Sequence, residues 1–208
     1  DDQCWLEHHP GWLAQHDPAA SGPELVDRLI DQFVWKRSER TMYDRRIEVP
    51  RLLSWSELSD PATPPSVANW ARVIDATFGT SMTSVGANFY RDGNDSVAWH
   101  GDTVGRQRVD STVVIVSVGA ARPFLVRPMG GGQSSRWVQA HGDLLAMGGR
   151  SQTRFEHAVP KVRSSGPRLS VVFRETPVDE EPEFAGSSPY QLGDADPDGV
   201  ETPTTGDV

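Results

Sequence analysis

A chain of 208 residues can bury one substantial core, and 37% hydrophobic residues is an ordinary share for a soluble protein. No apolar run approaches the ~20 residues of a membrane-spanning helix, the opening Asp1-Asp2-Gln3-Cys4-Trp5 lacks the basic and apolar regions of a secretory signal, and the single cysteine, Cys4, excludes an internal disulfide and fits a reducing cytoplasm. The formal net charge of −9 argues against a nucleic-acid partner only if it is evenly spread.

It is not evenly spread. Residues 176 to 208 carry Asp179, Glu180, Glu181, Glu183, Asp194, Asp196, Asp198, Glu201 and Asp207 and no Lys or Arg. Removing these nine from the 29 acidic residues leaves 20, which balance the 20 Lys and Arg of the rest. The segment is rich in Pro, Gly, Ser and Thr and poor in aliphatics, so it cannot bury enough surface to offset its ordering entropy; an acidic, disordered tail is expected. Residues 12 to 175 then form the domain, with 1 to 11 as an N-terminal extension.

Within the domain, Ser21 as N-cap with Pro23 and Glu24 in the first turn predicts a helix to about Phe33, apolar along Leu25, Leu29 and Ile30. Residues 36 to 51 set Lys36, Arg37, Arg40, Arg45, Arg46 and Arg51 against Glu39, Asp44 and Glu48, interleaved with Trp35, Met42 and Tyr43. Cations among aromatics suit phosphates and an unstacked base, and they equally suit a solvated helix end and loop. Ser66 caps a second predicted helix, with Val67, Trp70, Ile74 and Phe78 as its stripe and Gly79 as its stop. From residue 84 the period changes to that of strands: 84 to 90, 96 to 100, 111 to 118, 123 to 127, 135 to 139, 143 to 147, 153 to 159 and 168 to 174. Gly130-Gly131-Gly132 falls in a hairpin loop and, preceding no helix, is not a phosphate loop. Eight short strands behind two helices indicate an α+β fold, a double-stranded β-helix (jelly roll) with the N-terminal helices packed on one sheet.

The chemistry concentrates in three strands. In His100-Gly101-Asp102 the outer two side chains of an extended run share a face and can grip one metal from one side. His157, in the strand-like Arg154-Phe155-Glu156-His157-Ala158-Val159, can supply a third ligand. Two imidazoles and a carboxylate leave open positions on an octahedral ion, as non-heme Fe(II) oxygenases require. In Arg168-Leu169-Ser170-Val171-Val172-Phe173-Arg174, Arg168, Ser170, Val172 and Arg174 fall on one face while Leu169, Val171 and Phe173 pack against a second layer. Two arginines on an inward face call for an anion, and a dicarboxylate suits guanidinium forks. Asn88 and Tyr90 share strand parity and offer an amide and a phenol to the same space.

The runs Asn88-Phe89-Tyr90, Trp99-His100-Gly101-Asp102, Ser117-Val118-Gly119, His141-Gly142-Asp143-Leu144-Leu145-Ala146-Met147, His157-Ala158-Val159-Pro160-Lys161 and Arg168 to Arg174, in this order, resemble the AlkB-type 2-oxoglutarate/Fe(II) dioxygenases over about residues 12 to 175. The resemblance implies that His100, Asp102 and His157 ligate Fe(II). It also implies that Arg168 pairs with the distal carboxylate of 2-oxoglutarate, with Arg174, Asn88, Tyr90 and Ser170 helping to hold this co-substrate. Ser170 stands where the family often has Asn, and Thr103-Val104-Gly105 stands where it often has an acidic residue.

The same resemblance makes the segment from Met42 to Leu52 a substrate-recognition lid, with Tyr43, Arg45, Arg46 and Arg51 as contacts, Trp99 beside the pocket, and Arg106 and Arg108 near its mouth. The implied reaction consumes O2 and 2-oxoglutarate, releases succinate, CO2 and an aldehyde, and removes N-alkyl groups from bases of single- or double-stranded nucleic acid, DNA first and RNA second, which must be presented unstacked. A monomer is expected. Two other readings keep the fold: a hydroxylase or demethylase of a protein, modified RNA or small molecule, and a non-catalytic nucleic-acid-binding module.

Overall fold

The computed structural model describes residues 4–42, 45–102 and 111–175, with the backbone alone for 39–42 and 45–48. The acidic tail, Tyr43, Thr103 to Gly105, Arg106 and Arg108 lie outside the described residues. Along the chain run β1 (Cys4–His9), α1 (Trp12–His16), a 3-10 turn (Pro18–Ala20), α2 (Leu25–Gln32), β2 (Glu39–Met42), β3 (Arg45–Glu48), β4 (Leu52–Glu57) and α3 (Pro65–Phe78). There follow β5 (Ser84–Tyr90), β6 (Val97–His100), β7 (Val113–Gly119), β8 (Arg122–Pro128), β9 (Ser135–Gln139), β10 (Leu144–Gly149), α4 (Ser151–Arg154), β11 (Phe155–Val159) and β12 (Arg168–Arg174).

Two antiparallel sheets face each other. The larger has the order β1-β10-β7-β12-β5-β4 and the smaller β6-β11-β8-β9. Strand period decides which core each side chain enters. Val114, Val116, Val118, Leu144, Ala146, Leu169, Val171 and Phe173 leave the outer face of the large sheet and pack with Leu25 and Leu29 of α2 and Val67, Trp70 and Ile74 of α3. Their alternates Val113, Ile115, Leu145, Met147 and Val172 turn inward and meet Phe124 and Val159 of the small sheet. The buried Trp70 ring keeps its N–H satisfied by donating to Asp17 Oδ2 at 2.8 Å. The expected jelly roll with helices covering one sheet is the fold. No helix of the described residues is long and apolar enough to cross a membrane.

All eight expected strands exist, and the differences lie at the edges. Ser21 caps no helix; its hydroxyl donates to Pro18 O at 2.9 Å and closes the 3-10 turn, so α2 starts later, at Leu25. Ser66 likewise sits inside the first turn of α3, which opens on Pro65, where a missing N–H costs nothing. Gly79 ends that helix as expected, in the left-handed conformation at φ 65°. The glycine run between β8 and β9 has positive φ throughout, at 86°, 118° and 109° for Gly130, Gly131 and Gly132.

Residues 153 and 154 belong to the short α4 rather than to a strand. Cys4–His9, expected as part of an extension, instead forms the edge strand of the large sheet, in register from Cys4↔Gly149 to His9↔Leu144. None of its residues is fully buried, so its sequence carries no core period; the open edge of β10 supplies the partner. Leu52–Glu57 is the other edge. The basic segment is neither helix end nor loop: β2 and β3 pair as a two-stranded ribbon with Met42 opposite Arg45.

Candidate metal centre

His100 ends β6 and His157 lies mid-way along β11, directly opposite it in register. Between the pairs His157↔His100 and Val159↔Val97, β6 carries one extra residue, a bulge. Strict alternation would put Val97 and His100 on opposite faces; the bulge turns both inward, Val97 to the core and His100 to the metal position. One ligand atom from each of His100, Asp102 and His157 lies within 4.8 Å of the others. The two imidazole centroids are 4.4 Å apart, and Phe124 stacks on His157 at 5.2 Å.

His100 and Asp102 are held from behind. His100 Nδ1 lies 2.8 Å from Ala98 O, which fixes it as the protonated nitrogen and leaves Nε2 as donor to a metal. Arg174 Nη2 donates to Asp102 Oδ1 at 2.8 Å. Asp102 N donates to Gln152 Oε1 at 3.3 Å, from the α4 turn. Gly101 lies in a tight place, since a Cβ there would come to 3.0 Å from Gln152 O and force that backbone to shift. Gly86, across from Val172, gives Arg174 its path: a Cβ would approach Arg174 Nη1 to 3.2 Å.

Electrostatics prepare the same set. Burial alone would raise the Asp102 carboxyl, but the Arg174 guanidinium and the two imidazoles bring it well below the ordinary carboxylate range. Burial pushes His157 down to about 3, aided by His100 and Arg174 against Asp102. Burial also lowers His100, against Asp102. At neutral pH the site thus offers two neutral imidazoles and one carboxylate, the protonation states a divalent metal needs.

Next to it, three parallel rows of side chains cross the inner face of the large sheet. Arg168 pairs with Tyr90 and Gly119, Ser170 with Asn88 and Ser117, Arg174 with Ser84 and Val113. Arg168 is 1% exposed, and its Nη2 donates to Ser117 Oγ at 2.9 Å. Its Nε and Nη1 have no hydrogen-bond partner among the described residues. An incompletely paired, buried guanidinium costs several kcal/mol unless an anion completes it, and a carboxylate is the anion its remaining N–H donors suit. The donor set and this orphaned cation together fit iron and a 2-oxo dicarboxylate.

Tyr90 lies against Arg168, with the guanidinium 5.2 Å from its ring centroid, and against Arg122 at 5.5 Å. Sequence reasoning missed Arg122, a fully buried cation whose Nη1 and Nη2 donate to Asp92 O, Asp95 O and Pro160 O. It also missed Ser117, Gln139 and Gln152 as site residues. Ser117 was legible in principle, because it breaks the apolar alternation of Val113 to Gly119 on the inward face.

Two expected substrate contacts are placed elsewhere. Arg51, expected on the lid surface, is buried; its Nε donates to Asn88 Oδ1 at 2.8 Å and its Nη1 to Ser96 O at 3.3 Å. Its charge reaches His100 rather than solvent, contributing to that imidazole's lowered pKa. Trp99 does not turn to the metal: the Arg127 guanidinium covers its ring at 4.1 Å while Arg127 Nε donates to Glu156 at 2.6 Å. Those partners alternate with Val126 and His157, which places Trp99 on the outer face of the small sheet. Arg45 and Arg46 are successive residues of β3.

Two histidines and an aspartate that could hold one metal ion, an incompletely paired buried arginine and a jelly roll are the features of a class of metal-dependent oxygenase. The 2OG-Fe(II) oxygenase superfamily model matches residues 6–174, and the chain belongs to that superfamily, whose enzymes use Fe(II), 2-oxoglutarate and O2. Within it the similarity is AlkB-like. Human alpha-ketoglutarate-dependent dioxygenase alkB homolog 3 is 29% identical over 174 residues, covering 72% of this chain and 60% of that protein. Mouse DNA oxidative demethylase ALKBH2 is 33% identical over 113 residues, 50% of this chain and 47% of that protein. The chain thus spans about three fifths or less of the length of these relatives. The solved structure of OsALKBH1 superposes with a TM-score of 0.57 at 16% identity, over 81% of this chain and 97% of the other, a likeness of fold.

Proposed function

We propose that this chain oxidatively removes N-alkyl groups from nucleobases, with DNA as its substrate, at iron held by His100, Asp102 and His157. The observation that carries the proposal is the convergence of this three-ligand face with the unpaired N–H donors of Arg168 between the same two sheets. The DNA substrate is supported by the similarity to a DNA oxidative demethylase and by a basic ribbon, Glu39–Met42 with Arg45–Glu48, ahead of the catalytic strands.

Bound iron with 2-oxoglutarate and O2 supplies the oxidant that hydroxylates the alkyl carbon beside a ring nitrogen. His100 and His157 enter as neutral donors, so no proton must leave before metal binds. Asp102, with one oxygen taken by Arg174, would have the other left for the metal. Arg168 fixes the far carboxylate of the co-substrate, and Tyr90 walls it. The hydroxylated carbon then parts from nitrogen as an aldehyde, the proton returning to the base. A base stacked in a duplex cannot reach this site, so the DNA is engaged with the base unstacked or single-stranded. Tyr43, Arg45 and Arg46 are proposed to contact its backbone from the ribbon.

Succinate and formaldehyde release, measured with and without single-stranded DNA carrying N-methylated bases, tests the reading. Stoichiometric release that depends on the methylated strand is expected. Turnover that ignores the DNA but responds to a peptide or small acceptor would overturn the DNA assignment. Charge reversal of Arg45 and Arg46 should weaken binding of single-stranded DNA and flatten its salt dependence, because fewer counterions are released.

A further inference from the structure

Gln139 ends β9 with 0% of its surface exposed. Its Oε1 accepts from Ser117 Oγ at 2.8 Å, and the same hydroxyl accepts from Arg168 Nη2 at 2.9 Å. One hydroxyl therefore ties the amide and the guanidinium together. The register agrees: Gln139 pairs with Arg122 on the small sheet, and Ser117 pairs with Ser170, next to Arg168, on the large one. The two side chains meet from opposite sheets.

Gln139 Nε2 has no hydrogen-bond partner among the described residues, as is true of Arg168 Nε and Nη1. Among the described residues five buried side-chain polar atoms are unpartnered in this way, and three of them belong to these two linked residues; Arg122 Nε, whose guanidinium also lies against Tyr90, is a fourth. All four are N–H donors. Unpaired buried donors are rare in folded proteins, because each has given up its hydrogen bonds to water without replacing them. A cluster containing donors alone is complementary to an acceptor-only group, and a carboxylate is one. The amide orientation is settled by the same bonds: Ser117 Oγ, already accepting from Arg168, must donate onward, so it faces Oε1 and leaves Nε2 directed away from it.

We propose that Gln139 is a co-substrate-positioning residue, donating from Nε2 to the distal carboxylate of the 2-oxo dicarboxylate beside Arg168. This rests on the reading of the site as a 2-oxoglutarate site and extends it to a residue on the opposite sheet. Arg168 supplies the charge. Gln139, pinned by Ser117, fixes how far the carboxylate travels toward the small sheet, and so sets the chain length that lets the other end reach the metal.

The test is calorimetric titration of Mn(II)-loaded protein with 2-oxoglutarate and with pyruvate, which lacks the distal carboxylate, using wild type, Gln139→Leu, Gln139→Met and Arg168→Met. Loss of one charge-assisted hydrogen bond should raise the 2-oxoglutarate Kd about tenfold in both Gln139 variants, with pyruvate binding unchanged. Arg168→Met should raise it further. Unchanged 2-oxoglutarate binding in both Gln139 variants, with Arg168→Met still impaired, would overturn the role of Gln139 and leave the site standing. Equal weakening of pyruvate and 2-oxoglutarate would also overturn it, because the effect would then be one of packing. No effect of Arg168→Met would remove the co-substrate reading itself, and the proposal with it. Leu and Met are both apolar and close to Gln in size, and thermal unfolding of the ligand-free variants checks that each is folded.

Discussion

Replacing Arg168 by Met should move stability and affinity in opposite directions. The wild-type guanidinium is buried, donates through Nη2 to Ser117, lies against Tyr90, and leaves Nε and Nη1 without a hydrogen-bond partner among the described residues. Exchange of a buried, incompletely paired charge for an apolar chain of similar length is neutral or stabilising by about 1 to 4 kcal/mol. For a domain of this size each kcal/mol moves Tm by roughly 2 to 4 °C, so ligand-free R168M should melt at the wild-type temperature or above it. The bound state tells the reverse. Two charge-assisted hydrogen bonds to a carboxylate at about 1.5 kcal/mol each amount to about 3 kcal/mol, or about a hundredfold in Kd. Differential scanning calorimetry without ligand, and titration of 2-oxoglutarate into the metal-loaded protein, measure the two halves. An R168M protein that melts several degrees early and binds 2-oxoglutarate as the wild type does would refute the reasoning, because Arg168 would then be a structural ion with its partner already in the protein.

Other substitutions separate metal, fold and proton. His100→Ala and Asp102→Ala should each abolish Mn(II) binding and 2-oxoglutarate turnover while the protein stays folded; wild-type-like succinate release from either would sink the iron assignment. Arg122→Met should destabilise by about 3 kcal/mol, read by urea unfolding, since the Asp92, Asp95 and Pro160 carbonyls lose their donor; an unchanged midpoint would contradict that clamp. His157, held at about 3 in the fold and near 6.5 when unfolded, gains its proton first in the unfolded chain as pH falls. Metal-free protein should therefore lose up to about 2.7 kcal/mol between pH 6.5 and 4.5 from this residue, and His157→Gln should show a correspondingly shallower decline; equal slopes would show that His157 titrates alike in both states.

The legible parts of the molecule were those in which a strand buries its two faces differently. Arg168 to Arg174 announced its inward and outward sets because Leu169, Val171 and Phe173 meet helices while Arg168 and Arg174 meet the site. The candidate ligands His100, Asp102 and His157 were legible from residue type and the fold brings them together, although the bulge that turns His100 inward was not legible, since parity along Val97 to His100 gives the wrong face. Strands Cys4–His9 and Leu52–Glu57 were missed because edge strands bury little and owe their existence to a neighbour's open ladder. Arg51 was read as a surface cation because composition cannot distinguish an arginine facing phosphate from one enclosed with Asn88. Gln139 carried no signal in its own segment; its meaning appears only when Ser117 comes across from the other sheet.

Strand Arg168–Arg174 is the last in sequence among the described strands yet lies inside the large sheet, between Val113–Gly119 and Ser84–Tyr90. During synthesis those two neighbours leave the ribosome earlier, each with an unsatisfied row of N–H and C=O groups. Until the final strand emerges, both rows are open to pairing with other chains, the condition under which nascent β proteins aggregate or recruit chaperones. The same strand brings Arg168, the proposed co-substrate arginine, and Arg174, which donates to Asp102, so a nascent chain closes its sheet and gains the proposed seat for 2-oxoglutarate in one step. A partly made polypeptide that had gathered His100, Asp102 and His157 could carry metal without a seat for 2-oxoglutarate, and the order of strands keeps that interval short.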